Sequence, residues 1–441
     1  MKYDVYFNEA QKEGIEALEL YISKDTSLSF SLFHGDLDNF SVSSNYSLQA
    51  RGIYNDKFGY IVTEKNDKDT PSFVIKQIKE NASINEAKEK AEIFKGSSLY
   101  KKGNVYNPIN STIPTEIKIA LAKEIENAVR KADERIVEVE VSYSESSSEI
   151  QLINSHGLNL KDKSNICYFY VSAVARNQEG ETKTGYKIAF SDDFNKLDEN
   201  YIVNEVVKKT ISQLGGKPCS SKKYKTVLSK EVASNLLSFF LKSCSYEAIH
   251  KKSSLLVDKI DTIVASKKLT IEERPLTKNM FFRSFDDEGV ATCNKKVIDK
   301  GVLKTYFYDL KYSKIASVTP TGNGYKQSNG KVAISFVNPY LKPGKKSLVQ
   351  VCEEIKDGIY ITSVAGLHSG MNPQSGNFSL QASGYMIENG KINSPVTLIT
   401  IAGNIFDLLK DVKEICSDSE LLTNGWTCSS IYLKSLAISG N

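Results

Sequence analysis

Apolar residues in the stretch EAQKEGIEALELYI (9–22) recur at Ile15, Leu18 and Tyr21 or Ile22, whereas in the following TSLSFSLFH the residues Leu28, Phe30 and Leu32 alternate with serine. The first spacing predicts a helix and the second a half-buried strand. Strand-like runs continue through KFGYIVT (57–63). Helical spacing returns over 71–95 and over 113–132, where Thr112 or Thr115 is placed to cap EIKIALAKEIENAVRKADE. Four β-type runs follow: RIVEVEVSYSE, SEIQLINSHG, SNICYFYVSAVARNQ and ETKTGYKIAFS. The turn-forming residues between them predict an antiparallel meander. A helix over about 200–214 runs into Gly215-Gly216 and the polar connection KPCSSKKYKTV, which puts a domain boundary near 217–222.

Beyond that connection, SKEVASNLLSFFLKSCSYEAI reads as one apolar helix, and almost everything after about 260 reads as short strands separated by Gly, Asn and Asp turns. Asn329-Gly330 and Asn389-Gly390 are pairs favoured in two-residue hairpins, whose central positions need positive φ. SLQASGYMIE and KINSPVTLIT should therefore pair. The pattern predicts an α+β chain: an N-terminal domain (1–219) of antiparallel sheet with helices, and a C-terminal β-rich domain (220–441) built as a barrel or sandwich. No repeat with a solenoid period is present.

Composition changes little. The chain has 441 residues, 40% hydrophobic and 25% charged, ordinary for a globular protein with a substantial core. A net charge of +4 is slight at this size. The basic runs SSKKYK (220–225) and HKK (250–252) read as solvated surface, so no nucleic-acid partner is expected. Seven scattered cysteines lack a paired ligand spacing and fit a reducing compartment. The charged N-terminus MKYDVYFNEAQKEG lacks the apolar core of a signal peptide, and no stretch is long and apolar enough to span a bilayer. A cytoplasmic chain without a membrane partner is the expectation.

Common catalytic signatures are missing. GYKQSNGK (324–331) has the wrong spacing for a phosphate-binding loop, and GLHSG (366–370) puts its serine one place late for a nucleophile elbow. His34, His156, His250 and His368 are too far apart in sequence to share a helix, so no metal site is expected in this chain. Two stretches carry candidate chemistry. Asp286, Asp287 and Glu288 in SFDDEGVAT could bind a cation or do acid/base work, although adjacent acids before Gly read more simply as an exposed turn. In AGLHSGMNPQSGNFS, the polar residues His368, Ser369, Asn372, Ser375 and Asn377 either tie loop backbone or bind a peptide or partner chain.

GLHSGMNPQSGNFSLQASGYMIENGKINSPV followed by TIAGN closely resembles the C-terminal signature of the TldE/PmbA proteins, H-S-G-x-N-P-x-S-G-D-F-S, then an I-E-x-G-K and P-V hairpin, then T-I-A-G-N. SFDDEG, GVLKTYFYD (301–309), TGNGYK (321–326) and SSLLVDKIDTIVAS (253–266) agree in order and rough spacing. The resemblance covers about 200 residues; the N-terminal half agrees only in general pattern. In this family the TldD branch carries HExxxH on a helix, two histidines binding zinc and the glutamate acting as base, whereas the TldE/PmbA branch lacks it and pairs with TldD. Matching SSLL to its counterpart puts the motif near Leu237 to Lys242, where no histidine stands. The resemblance implies a non-catalytic subunit that processes or degrades unstructured or leader peptides. It has no cofactor of its own, zinc lies in a TldD-like partner, and His368, Ser369, Asn372, Ser375 and Asn377 line the peptide cleft or the subunit contact. Asn377 departs from the usual Asp, and an amide, which both donates and accepts, does not make a carboxylate's salt bridge. The alternatives are a stand-alone hydrolase built from His368, Asp286 and a cysteine such as Cys428, and a homodimeric peptide-binding module.

Overall fold

A computed structural model describes residues 3–86 and 91–440. Its first half is an antiparallel six-stranded sheet in the order β3-β2-β1-β4-β5-β6. Helix α1 (Asp4–Lys12) leads into β1 (Ala17–Phe33), β2 (Asp36–Tyr54) and β3 (Lys57–Thr63). Helices α2 (Thr70–Ser83), α3 (Ile109–Thr112) and α4 (Thr115–Ala132) follow, then β4 (Ile136–Asn154), β5 (Asn159–Arg176), β6 (Thr182–Ser191) and α5 (Glu199–Ile211).

Several elements differ from the sequence expectation. The helix predicted over 9–22 stops at Lys12, and Gly14, with φ 76°, turns the chain into β1. Leu18 and Ile22 fit a helical stripe, yet with Leu20 they also alternate, and sheet pairing on both sides of β1 selects the shorter period. RIVEVEVSYSE and SEIQLINSHG form one strand, β4: the serines read as a turn are held between β1 and β5, and Thr26 and Ser147 share a 2.8 Å hydroxyl contact. Of the helix expected over 71–95, only α2 is helical, and residues 87–90 lie outside the described residues. Neither Thr112 nor Thr115 caps α4; Pro114 occupies that position.

All the helices of this half that pack on the sheet take the same face. Leu18, Leu20, Ile22, Leu48 and Ala50 meet Val74, Ile75 and Ile78 of α2. Farther along, Phe30, Val141, Tyr143, Phe169 and Val171 meet Ala122, Ile125 and Val129 of α4 and Ile202 and Val206 of α5. The opposite face carries Glu19, Tyr21 and Arg51 toward the second half of the chain.

The second half begins with β7 (Lys222–Leu228), α6 (Lys230–Lys242) and α7 (Tyr246–His250), the single apolar helix of the sequence expectation being broken between Lys242 and Tyr246. Short strands β8 (Ile271–Glu273), β9 (Lys295–Asp299), β10 (Val302–Leu303), β11 (Gly324–Lys326), β12 (Val332–Ile334) and β13 (Pro339–Leu341) follow, with α8 (Leu310–Ala316) among them. Then come α9 (Leu348–Ile355), β14 (Gly358–Ala365), β15 (Asn377–Glu388), β16 (Lys391–Asn404), α10 (Ile405–Lys410), β17 (Val412–Ile415), β18 (Glu420–Leu421), β19 (Thr427–Cys428) and β20 (Ile431–Ser439). One sheet runs β16-β15-β14-β7-β20-β17, and pairing of β16 with β20 closes five of its strands into a barrel. A second runs β10-β9-β8-β13-β19-β18, and β11 and β12 pair as a hairpin. The chain is thus α+β, with the expected barrel in its C-terminal half; helices α8, α9 and α10 are additions to the all-strand reading after residue 260.

β15 and β16 form the expected hairpin, with Asn389 and Gly390 at φ 51° and 80°. At the other site only Gly330 has positive φ (78°), and Gln327 N donates to Lys331 O, so that loop is a residue longer than a two-residue turn. Helix α6 packs on β7 and β14 with Val232, Leu236, Leu237, Phe240 and Leu241 buried. Among the described residues no helix is long and apolar enough to cross a membrane.

Candidate functional site

The polar loop 366–377 joins β14 to β15 at one end of the barrel, beside the end of β16. Its first turn is closed by Ser369 N and Gly370 N donating to Gly366 O. The rest is organised by Asn372, whose Oδ1 accepts from Gln374 N (3.0 Å) and Ser375 N (2.9 Å) while its carbonyl accepts from Gly376 N. Such a turn suits Asn, whose side chain mimics a backbone carbonyl, followed here by Pro373. Ser375 Oγ accepts from Asn377 N (3.3 Å). Asn404, at the end of β16, donates from Nδ2 to Ser375 O (2.7 Å) and Asn377 Oδ1 (2.8 Å) while its Oδ1 caps α10 at Phe406 N.

The five residues singled out from sequence therefore divide. Asn372, Ser375 and Asn377 are brought together, and their oxygens are spent on the loop itself. His368 and Ser369 stand in the neighbouring turn, both exposed; the His368 ring has no hydrogen-bonding partner among the described residues, and Ser369 Oγ makes only a long 3.4 Å contact with Gly366 O. Asn404 was missed, although it closes the TIAGN stretch. At Asn377 the oxygen accepts from an amide, a role an Asp carboxylate fills equally well, so this chain needs no salt bridge there.

Beneath the loop, Gly376 (φ 75°) lies against the Phe406 ring, and Phe406 packs edge-on to Phe240 of α6 with centroids 5.7 Å apart. The loop thus sits over the helix segment where a zinc motif would stand. That segment offers no ligands: Leu237 is buried, Ser238 Oγ accepts from Trp426 Nε1 (2.6 Å), and Lys242 is exposed. Zinc needs neutral imidazole, thiolate or carboxylate donors, so this donor set does not fit it.

Asp286, Asp287 and Glu288 are not the exposed turn that sequence favoured. All three are buried against the first-half sheet. Asp286 accepts from the backbone N–H groups of Glu288, Val290 and Gly324 at 2.9–3.0 Å. Asp287 accepts from Tyr21 Oη (3.0 Å), Arg283 (2.5 Å) and Lys326 N (2.9 Å). Glu288 faces Arg51 at 3.4 Å and accepts from Leu310 N. Arg51 in turn lies 2.8 Å from Glu19, which also meets Lys326 at 3.2 Å. Burial works against the Arg51 charge, but Glu19 and Glu288 more than reverse it and hold its pKa above the usual arginine value. Burial, and then the Glu288 charge, lift Asp286 well above the usual carboxylate range despite its three N–H donors. Nothing local in the sequence signals that Arg51, some 240 residues away, would compensate this acidic run, or that Glu19 would share that arginine. With every acid engaged by protein groups, the cluster joins the two halves and has no open coordination position.

The triad of the alternative hydrolase is not assembled. Asp286 is enclosed in the inter-half cluster, Cys428 is buried with its thiol contacting Ser429 O, and His368 is exposed on the barrel loop. Burial pushes the Cys428 thiol upward, away from thiolate reactivity.

Comparison with known proteins agrees with this architecture. The chain matches PmbA/TldA metallopeptidase domain 1 over 18–89, the central domain over 108–214 and the C-terminal domain over 221–440. The metalloprotease PmbA homolog of Haemophilus influenzae is 31% identical over 324 residues, covering 73% of this chain and 69% of that protein. A zinc metalloprotease TldD homolog of Saccharolobus solfataricus is 30% identical over 231 residues, 51% of each chain. The crystal structure of TldE from Thermococcus kodakarensis superposes with a TM-score of 0.91 at 22% identity, covering 99% of this chain and 100% of that one, a likeness of fold.

Proposed function

Because the chain belongs to the PmbA/TldD metallopeptidase family and is of TldE/PmbA type, we propose that it is the non-catalytic subunit of a zinc metallopeptidase, forming part of the cleft for unstructured or leader peptides. One observation carries the proposal: the helix segment that bears HExxxH in the TldD branch carries Leu237, Ser238 and Lys242 here, with Leu237 in the core and Ser238 occupied by Trp426. The zinc and the base then belong to a TldD-like partner, and this chain contributes shape and hydrogen bonds.

The loop 366–377 suits that role. Asn372, Ser375, Asn377 and Asn404 hold its backbone, which lowers the ordering cost of binding, while His368 and Ser369 remain exposed. His368 donates or accepts one hydrogen bond to a peptide backbone in this reading; Ser369 and the amide groups of Asn372 and Asn377 supply further polar contacts. A cytoplasmic setting, in which unfolded polypeptides meet reduced cysteines, accords with seven free thiols.

The test is His368→Ala, assayed on an unfolded peptide with an HExxxH-bearing family member present. Loss of one neutral hydrogen bond, about 0.5–1.5 kcal/mol, lowers turnover only several-fold and leaves the melting temperature of the isolated chain unchanged. A stable variant with activity reduced about 100-fold or more would make His368 a general acid or base and overturn the proposal.

A further inference from the structure

Just past the end of α6 the fold gathers aromatic rings at the surface. Backbone bonds from Tyr246 N to Phe307 O and from Phe307 N to Cys244 O lay the segment TYFYD (305–309) beside the start of α7. Alternation along this extended segment sends Phe307 inward against Phe336 and turns Tyr306 and Tyr308 toward Tyr246, at centroid distances of 6.0 and 4.7 Å. One turn along α7, His250 holds its ring near-parallel to that of Tyr246, 28° apart, with centroids separated by 6.5 Å. Tyr312, at the start of α8 where Asp309 accepts from its N–H at 2.7 Å, stands 6.5 Å from Tyr246 and 5.9 Å from His250. Three rings from two helices thus stand at nearly equal distances from one another.

This group differs from a core cluster. The rings of Phe30, Tyr143, Phe169 and Phe194 are buried together with residues of α4. Here His250 is exposed and Tyr246 and Tyr308 are half-buried, with no hydrogen-bond partner for either tyrosine hydroxyl among the described residues. Carboxylates border the rings: Glu247 sits beside Tyr312, and Asp309 is close to Glu247. The chain's own ammonium groups already collect at this place. Lys251 Nζ lies 2.6 Å from Glu247, and Lys311 Nζ lies 5.6 Å from the Tyr312 centroid. The face of an aromatic ring attracts a cation within about 6 Å of its centroid. Guanidinium, planar and weakly hydrated, stacks on rings and bonds carboxylates better than ammonium does.

We infer that Tyr246, His250 and Tyr312, with Glu247 at their edge, form a receptor for the basic side chain of an extended peptide, arginine foremost. Because the three centroids are 5.9–6.5 Å from one another, a guanidinium seated among them is within cation–π reach of every ring. Its N–H groups bond Glu247, which exchanges Lys251 for the ligand; the Lys251 side chain is 60% exposed, so its ammonium returns readily to water. With a net charge of +4 the chain as a whole does not attract cations, so a preference for arginine is local to such a site. The peptide as source of the cation rests on the peptidase reading, and the position agrees with it. Helix α7 follows directly on Leu237–Lys242, the α6 segment that takes the place of the zinc motif, so a chain with no metal donors there carries a binding device beside it.

The probe is an unstructured peptide, acetylated and amidated at its ends, with a single arginine, and its twin with neutral citrulline in that place. Each is titrated into the full-length chain at low salt and followed by fluorescence anisotropy. The arginine peptide should bind at least about tenfold more tightly. His250→Ala, at an exposed position, should lower that ratio about two- to fivefold and leave the melting temperature unchanged. Tyr246→Ala should lower it similarly, whereas Tyr246→Phe, which keeps the ring, preserves it. Lys251→Met frees Glu247 and should raise the ratio. Equal binding of the two peptides would overturn the inference. So would an arginine preference that survives both His250→Ala and Tyr246→Ala, or one that follows a free amino terminus in place of the arginine. Turnover with an HExxxH-bearing family member judges the peptidase reading separately: hydrolysis of both peptides alongside equal binding removes the receptor and leaves that reading, while arginine-selective binding without hydrolysis does the reverse.

Discussion

Single residues in this protein act mainly through the charge they bring into a buried site. Arg51 sits between Glu19 and Glu288 with almost no exposure. Arg51→Ala leaves Glu288 without its cation and Glu19 with Lys326 alone, and breaking a buried pair from one side costs about 3–5 kcal/mol, so denaturant unfolding should show a loss of that size. A loss under 1 kcal/mol, about that of a surface pair, would mean that water reaches the cluster. Asp286 makes a subtler prediction. Its native pKa is raised by burial first and by Glu288 second, so the folded chain holds a proton that the unfolded chain has released above about pH 4. Its contribution to stability is fully present below the unfolded value and is lost as pH rises through the native one. Asp286→Asn removes this dependence. The stability of the parent relative to the variant should therefore fall with rising pH, by at most about 1.4 kcal/mol per unit. Guanidinium unfolding at several pH values above about 4 measures the gap; one that grows in favour of the parent contradicts the assignment.

At the scale of elements, the turns and helix ends hold the geometry of the barrel end. Gly14 and Gly376 share a left-handed backbone, φ 76° and 75°, but only Gly376 has a neighbour in the way, since a Cβ there would lie 2.6 Å from the Phe406 ring. Gly14→Ala should cost about 1 kcal/mol for its backbone conformation alone. Gly376→Ala adds displacement of Phe406 and should cost about 2–3 kcal/mol or more, which parallel thermal melts can separate. Equal costs would show that Phe406 gives way freely. Helix α6 depends on a local signal: Ser229 Oγ accepts from Val232 N at its first turn. Ser229→Ala should lower stability by about 1 kcal/mol.

For the whole molecule, the connection after Gly215 is the exposed passage between the two sets of sheets, with Gly216 O accepting from Thr397 Oγ1 and Lys217 bridged to Val396. Limited trypsin digestion should cut first between about 215 and 226, with Lys217 the leading site, because cleavage there needs the least unfolding. First cuts confined to 300–350 would place the weak point inside the second half. The fragments should stay associated after nicking, since Arg51, Glu288, Glu19 and Lys326 join them.

Period and turn chemistry are local quantities, and the sequence alone determined what depends on them: the α+β class, α5, the β15–β16 hairpin with its Asn389-Gly390 turn, and a C-terminal motif specific enough to indicate the family. Competition between local preferences was decided by neighbours far along the chain. Leu18 and Ile22 satisfy both a helical and a strand period, and only pairing with β2 and β4 makes them strand. The serines of β4 favour turns, and flanking ladders overrule them. The acidic run 286–288 looks exposed until Arg51, supplied by β2, compensates its burial. Within the candidate site, the sequence supplied His368, Ser369, Asn372, Ser375 and Asn377 as a polar group, but not which of them are spent on the loop, because that depends on Asn404 arriving from the far end of β16. Local patterning fixes what each segment can become; burial and long-range pairing decide which of its options the folded chain takes, since the energy of a charge, a hydroxyl or an open strand edge is set by what lies opposite it.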